Sequence, residues 1–215
     1  CENPFVDRNR KFNDNENRAK RNDSPSENRR YAMRVIAGTA RSLPLKTPTG
    51  MDTRPTTDRI KETLFNVIQN EVPGAAFIDM FSGSGGIGIE ALSRGARKCY
   101  FLENDKEALS CIRDNLKFTK FEDRAVILSQ DALLSLNNIF EKEIDVIFMD
   151  PPYRQELEKQ ALQILKSMKY VTPDTLIIVE ASKETDFAYL DEMGYDLLKE
   201  KIYKTNKHLF IRKKA

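Results

Sequence analysis

The fold this sequence predicts is an open, doubly wound α/β sheet of Rossmann-like type, with a C-terminal antiparallel hairpin and a small N-terminal β/helix extension. Three observations predict it. From Ala76 onward, short apolar runs alternate with amphipathic helical stretches, the pattern of βαβ units. The runs Val146-Ile147-Phe148 and Leu176-Ile177-Ile178-Val179 are continuously apolar, as parallel strands covered on both faces require. Gly83, Gly85 and Gly88 take the G-x-G-x-x-G spacing between the first of these strands and the first helix.

The elements follow in order. Residues 1–32 are rich in Asn, Arg, Asp and Glu and hold few large apolar groups, so they are expected to be a disordered or artificially added leader ahead of Met33. Residues 33–215 are expected to form one domain, with 33–72 as the extension and 73–215 as the core. RVIAGTARSLPLKTP suggests two short strands around a turn at Gly38. In RPTTDRIKETLFNVIQN, Ile60, Leu64, Val67 and Ile68 recur at helical spacing, with Pro55 and Thr56-Thr57 as the start and Pro73-Gly74 as the stop. The core strands are AFIDMF, KCYFLE, AVILSQ, DVIFMD and TLIIVEA. The helices between them are GIEALSR, stopped by Gly95, then KEALSCIRDNLKF, ALLSLNNIF and QELEKQALQILKSM. The last segment, YDLLKEKIYKTNKHLFIRKK, reads as a hairpin turning near Thr205-Asn206.

Composition excludes several classes. No apolar run approaches the roughly 20 residues needed to cross a bilayer, so no membrane role is expected. The N-terminus lacks the apolar segment of a secretory signal, and Cys1, Cys99 and Cys111 lack C-x-x-C spacing; a cytoplasmic protein with reduced thiols and no metal site is expected. His208 is the single histidine, which argues against histidine acid–base and zinc chemistry. The net charge is +2, but basic residues concentrate at the two ends of the folded part. Arg34, Arg41, Lys46, Arg54, Arg59 and Lys61 face only Asp52 and Asp58 in their stretch, and Lys199, Lys201, Lys204, Lys207, Arg212, Lys213 and Lys214 face Glu200. These ends suit a surface for nucleic acid, or else are solvated faces.

Ligands of such sheets sit at the carboxyl ends of the strands, and four features fall there: Asp79 with the glycine loop, Glu103, Asp131, and Asp150-Pro151-Pro152-Tyr153. Glu103, twenty residues beyond Gly83, is placed to accept from ribose hydroxyls. The loop and Glu103 leave NAD and S-adenosylmethionine equally open; Asp79 gains a use with the latter, as acceptor for its cationic amine. Asp131 also suits a helix N-cap, and Phe81 suits either a core or a cofactor wall. D-P-P-Y decides the matter. It is the motif of methyltransferases that act on exocyclic amines of nucleic-acid bases. Such an amine is a poor nucleophile because its lone pair is delocalised into the ring. The carboxylate of Asp150 and the carbonyl of Pro151 would accept its hydrogens and favour a pyramidal nitrogen. Pro151 and Pro152 fix the backbone that presents that carbonyl, and Tyr153 offers a face for an extruded base. The bland alternative, a strand-terminating Asp-Pro-Pro turn, does not account for acids at all four strand ends.

RVIAGTARSLPL, RPTTDRIKETLFN, DMFSGSGGIGIEALSRGA, LENDKEAL and MDPPY together resemble the bacterial 16S rRNA guanine-N2 methyltransferases of the RsmD type, from Met33 to the C-terminus. The resemblance implies a class I methyltransferase using S-adenosylmethionine. It implies methylation of the 2-amino group of guanine 966 in 16S rRNA, on assembled or assembling small subunits; a monomer is expected. It implies a cofactor site lined by Asp79, Phe81, Gly83, Gly85, Glu103, Asn104, Asp131 and Ala132, a catalytic site at Asp150 to Tyr153, and RNA contacts from Arg34, Arg41, Arg54 and Lys61. Lys204 stands after Tyr203 where the family usually has a glycine, which puts the hairpin's turn geometry in question. The residues alone leave adenine-N6 and cytosine-N4 methylation open. They leave also, from other classes, an NAD(P)-dependent oxidoreductase or a non-catalytic RNA-binding protein.

Overall fold

The computed structural model describes residues 33–49, 58–152 and 155–215. The leader, Arg54, the Pro55–Thr57 helix start and Tyr153 lie outside the described residues. Two short strands, β1 (Met33–Arg34) and β2 (Pro44–Leu45), pair antiparallel around a turn in which Gly38 takes a φ of 83°. Helix α1 (Asp58–Val67) follows, burying Lys61, Leu64 and Phe65.

The core then runs β3 (Ala76–Met80), α2 (Gly86–Ser93), β4 (Lys98–Leu102), α3 (Lys106–Thr119), β5 (Ala125–Leu128), α4 (Ala132–Ser135), β6 (Val146–Met149), α5 (Leu157–Ser167), β7 (Leu176–Ser182), α6 (Leu190–Met193), β8 (Tyr195–Ile202) and β9 (Asn206–Lys213). The seven core strands lie in the order β5-β4-β3-β6-β7-β9-β8. The first five are parallel; β9 is antiparallel to both β7 and β8.

Strand alternation sends side chains to two cores. Ile78, Met80, Leu102, Ile147, Met149, Ile177, Val179 and Leu209 pack on one face with Ala161, Leu162 and Leu165 of α5. Phe77, Phe101, Val146, Phe148, Ile178 and Phe210 pack on the other with α1, α2, α3 and the extension. Side chains cover both faces of the central strands, which is why these carry unbroken apolar runs.

Local chemistry sets the helix ends. Asp105 caps α3 by accepting from the Ala108 amide at 2.8 Å. Lys120 closes the same helix in the left-handed region, with the Phe121 amide bonded to the Leu116 carbonyl at 3.0 Å. The helix expected over ALLSLNNIF is shorter than its pattern: α4 stops at Ser135 and passes into a 3-10 turn at Leu136–Asn138. Asn137 competes for backbone groups there, its side chain donating to the Leu134 carbonyl at 3.4 Å. Helix α6, four residues long, has no counterpart among the expected elements.

The extension is welded to α2. Glu90 of α2 accepts from the amides of Ile36 (2.7 Å) and Ala37 (3.0 Å), and the Ser93 hydroxyl bridges the Ala37 carbonyl and the Ala40 amide. The hairpin closes between Ile202 and Asn206, with the Tyr203 amide donating to the Asn206 carbonyl at 2.8 Å. Lys204 does not take a positive φ, so this turn is built without the backbone freedom of a glycine.

Candidate active site at the carboxyl ends of the strands

Leu128, Leu102, Met80, Met149 and Val179 are successive neighbours across the sheet. The chain leaves the sheet one residue later at Ser129, Glu103, Phe81 and Asp150, while β7 continues through Glu180 to Ser182. From the adjacent strands β3 and β6, the sheet is extended in opposite directions by β4 and β7. The crevice at that divergence is where open α/β sheets bind ligands.

The glycine loop is tightly closed. The Ser82 hydroxyl donates to the Asp79 carbonyl at 2.6 Å, and the Gly85 amide to the Ser82 carbonyl at 2.8 Å. Gly83 and Gly85 have φ of 54° and 81°. A Cβ on Gly83 would meet nothing within 4 Å, so the loop's backbone stands open to approach. A Cβ on Gly88 would lie 2.3 Å from Phe101 Cε1 and 2.7 Å from Cys99 Sγ; this glycine lets α2 lie down on β4. Phe81, half-buried, is itself left-handed (φ 58°), a costly backbone for an aromatic residue and of the kind that collects at functional sites.

Asp79 is buried on the α2 face of β3, and its Oδ2 accepts from the Gly88 amide at 2.8 Å. Burial pushes its carboxyl up to about 8; the Gly88 amide opposes the rise and the charge of Glu103 adds to it. A cationic amine brought beside it would restore the charged form, so the site suits the amino group of S-adenosylmethionine. Glu103 is committed in part to the protein: Oε2 accepts from the Gly83 amide at 2.8 Å, and Oε1 from the amides of Asn104 (2.8 Å) and Asp105 (2.9 Å). It thus ties the tip of β4 to the glycine loop, with a remaining lone pair for a hydroxyl donor. Asp131 is the N-cap of α4; its Oδ1 accepts from the amides of Leu133 and Leu134, at 3.0 and 3.1 Å. Ala132 beside it is buried, whereas Asn104 is exposed.

Asp150 continues the alternation of Phe148 toward the Asp79 side of the sheet. Burial drives its carboxyl well above the usual range, and the charges of Glu180 and Asp79 add to the rise. Pro151 is buried and Pro152 exposed.

The structure brings one group that sequence reasoning missed. Glu180 of β7 accepts from the Asn206 amide nitrogen through Oε1, and its Oε2 lies 2.9 Å from His208 Nε2. Tyr203 Oη lies 3.3 Å from His208 Nδ1, and burial pushes the Tyr203 hydroxyl up to about 12. The available signal was the acid inside the apolar run LIIVEAS: a charge on a doubly covered strand needs a partner.

Of the expected RNA contacts, Arg34 and Arg41 are exposed, Arg34 pairing with Asp58 at 2.7 Å. Lys61 is a correction. It is fully buried, donates to the Arg34 carbonyl and lies 3.5 Å from Glu90, so its charge is spent inside the fold and cannot reach a phosphate. Several C-terminal cations are also engaged, Lys207 with Glu200 and Arg212 with Glu71. Among the described residues, no group of three or more His, Cys, Asp and Glu side chains is placed to hold a metal ion, and no helix is long and apolar enough to cross a membrane.

Strand order, glycine loop and strand-end acids together define a methyltransferase domain of the Rossmann-like kind. Comparison with known proteins agrees. A family model described as "Conserved hypothetical protein 95" matches residues 33–212, and the chain belongs to that family. Ribosomal RNA small subunit methyltransferase D of Haemophilus influenzae is 38% identical over 178 residues, 81% of this chain and 90% of its own. The enzyme of that name from Escherichia coli K12 is 32% identical over 154 residues, covering 71% and 76%. Among solved structures, yhhF of Escherichia coli, described as a candidate methyltransferase, superposes with a TM-score of 0.72 at 30% identity, covering 85% of this chain and 98% of that one. A Thermus thermophilus protein of hypothetical function gives 0.71 at 25% identity, covering 84% and 99%.

Proposed function

We propose that this chain transfers a methyl group from S-adenosylmethionine to the 2-amino group of a guanine in 16S rRNA, within the small ribosomal subunit or its assembly intermediate, acting as a cytoplasmic monomer. The observation that carries the reading is Asp150. It opens a D-P-P segment at the switch point of the sheet, beside Asp79, in a chain whose relatives include small-subunit rRNA methyltransferases.

Asp79, Phe81, Gly83, Gly85, Glu103, Asn104, Asp131 and Ala132 would hold the cofactor, whose sulfonium supplies an activated methyl group. Asp79 balances the ligand's cationic amine, Glu103 accepts from a ribose hydroxyl, and the unused Oδ2 of Asp131 is available to an adenine amine. Asp150 and the Pro151 carbonyl accept the hydrogens of the guanine amine and turn its lone pair toward the methyl, with Tyr153 stacking on the base. A methylated amine must shed a proton. In its ionised form the Asp150 carboxylate is placed to take that proton. Arg34, Arg41 and Arg54 contact the RNA backbone.

The test is transfer of labelled methyl to small subunits from cells lacking the modification, with nucleoside mass spectrometry of the product. N2-methylguanosine at one site is the expected result. Methyl on adenine or cytosine would keep the chemistry and overturn the base; cofactor binding without transfer to any RNA would overturn the enzyme reading. Asp150→Ala is expected to keep cofactor affinity within a few-fold and abolish transfer.

A further inference from the structure

The D-P-P motif brings an amine into the site but does not say which base carries it. Guanine differs from the other two candidates in what lies beside the amine. Its neighbouring ring nitrogen, N1, bears a hydrogen and donates; adenine N1 and cytosine N3 are bare and accept. A site that offers an acceptor at that place takes guanine and rejects the others.

The overhang of β7 and β9 carries an unpaired acceptor on the face that Asp150 shares. Met149 pairs with Val179, so Asp150 sits next to Glu180, whose charge it feels. Glu180 pairs with His208 and Ser182 with Asn206, which sets Asn206 on the same face as Glu180, one step further out beyond the carboxyl ends of the strands. Asn206 is 5% exposed. Its Nδ2 is bound to Glu180, and since a carboxylate can only accept, this fixes the other end of the amide as the oxygen. That Oδ1 is buried and has no hydrogen-bond partner among the described residues. A buried carbonyl left unpaired is costly, and a donor arriving with a ligand would relieve it.

We propose that Asn206 is a specificity-determining residue whose side-chain carbonyl accepts from N1–H of the target guanine, and that Glu180 is a positioning residue that keeps the amide turned that way. Behind Glu180, His208 and Tyr203 complete the support. The inference rests on the guanine-N2 reading and extends it to the residue that enforces it.

The experiment uses the full chain and small subunits reconstituted around 16S rRNA ligated from two pieces. The nucleotide at the mapped methylation site is guanosine in one batch and 2-aminopurine riboside in the other. 2-Aminopurine keeps the 2-amino group but has a bare N1. The wild-type chain is expected to prefer guanosine by about thirtyfold or more in kcat/KM, from one buried hydrogen bond lost and two acceptors opposed. In Asn206→Ala the guanosine rate falls about tenfold, the 2-aminopurine rate holds, and the preference shrinks to a few-fold. Glu180→Gln, close to isosteric, lets the Asn206 amide turn over and shrinks the preference likewise. An equal fall on both substrates in both variants, with cofactor affinity unchanged, would make the cluster merely structural and overturn the proposal. So would a wild-type chain that methylates both substrates equally, and in that case the guanine reading itself survives. Methyl on adenine or cytosine instead of guanine, seen in the product nucleosides, is the separate failure of that reading.

Discussion

Asp79 makes the stability of the cofactor-free protein depend on pH in a direction opposite to that of most paired carboxylates. Its carboxyl is raised from 3.8 to about 8, chiefly by burial. Between those two values the folded protein holds a proton that the unfolded chain has released. Stability is therefore full at low pH and declines as pH rises through the window, until the folded group also ionises. Inside the window the loss is about 1.4 kcal/mol per pH unit, so about 3 kcal/mol between pH 5 and pH 7. Asp79→Asn keeps an oxygen for the Gly88 amide and cannot ionise. Urea unfolding of both proteins across pH 4.5–8.5 gives the difference directly, and the wild-type curve should fall relative to the variant by that amount. Asp150 is raised in part by the charge of Asp79, so the variant removes that contribution as well, and the difference reports Asp79 together with its effect on Asp150. Two curves of the same shape would refute the assignment of a buried neutral carboxyl here. Saturating S-adenosylmethionine should flatten the wild-type slope, because its amine would hold Asp79 charged.

Three further outcomes are expected. Gly88→Ala drives a methyl into Phe101 and Cys99, with contacts of 2.3 and 2.7 Å to relieve; it should cost about 1–3 kcal/mol and lower Tm by about 3–10 °C in a thermal melt. Lys61→Met removes a buried cation from Glu90 and leaves that carboxylate with Arg94, at 2.7 Å, as its remaining cation partner; the expected loss is about 2–4 kcal/mol in urea unfolding, partly recovered in the double variant Lys61→Met, Glu90→Gln. If Arg34, Arg41 and Arg54 grip phosphates, affinity for subunits should fall with rising salt, and the triple alanine variant should show a log–log slope shallower by about 2–3 in a filter-binding series.

The parallel core was legible because its strands are spelled in unbroken apolar letters, and because four of the five lead into an acid or a glycine loop. Asp79, Glu103, Asp131 and Asp150 could be found one strand at a time, since each needs only its own strand to be recognised. Glu180 announced within its own strand only that it needed a partner, and Asn206 and His208 gave no such sign. They converge from two strands that pair antiparallel across 26 and 28 residues of sequence, and no local spacing announces that register. Lys61 misled for a related reason. A lysine in a basic stretch reads as surface until a partner acid, here Glu90 on another helix, is known to lie under it. The α4 segment failed on competition: its apolar spacing is helical, but the span is short and the Asn137 side chain takes the Leu134 carbonyl.

The common row of Leu128, Leu102, Met80, Met149 and Val179 has a consequence for how such a chain can tolerate change in length. Glu103, Phe81, Asp150 and Glu180 each stand a single step past that row. Dropping or adding one residue within any of these strands leaves composition and hydropathy almost untouched. It would nonetheless turn the terminal side chain to the far face; for Glu103, Asp150 and Glu180 that sets an acid against the opposite core and out of the crevice. Loops at the other end of the sheet, such as the one between α3 and β5, face no such bookkeeping. Drift in length among relatives should therefore gather at the amino ends of the strands, while the count from row to acid stays fixed.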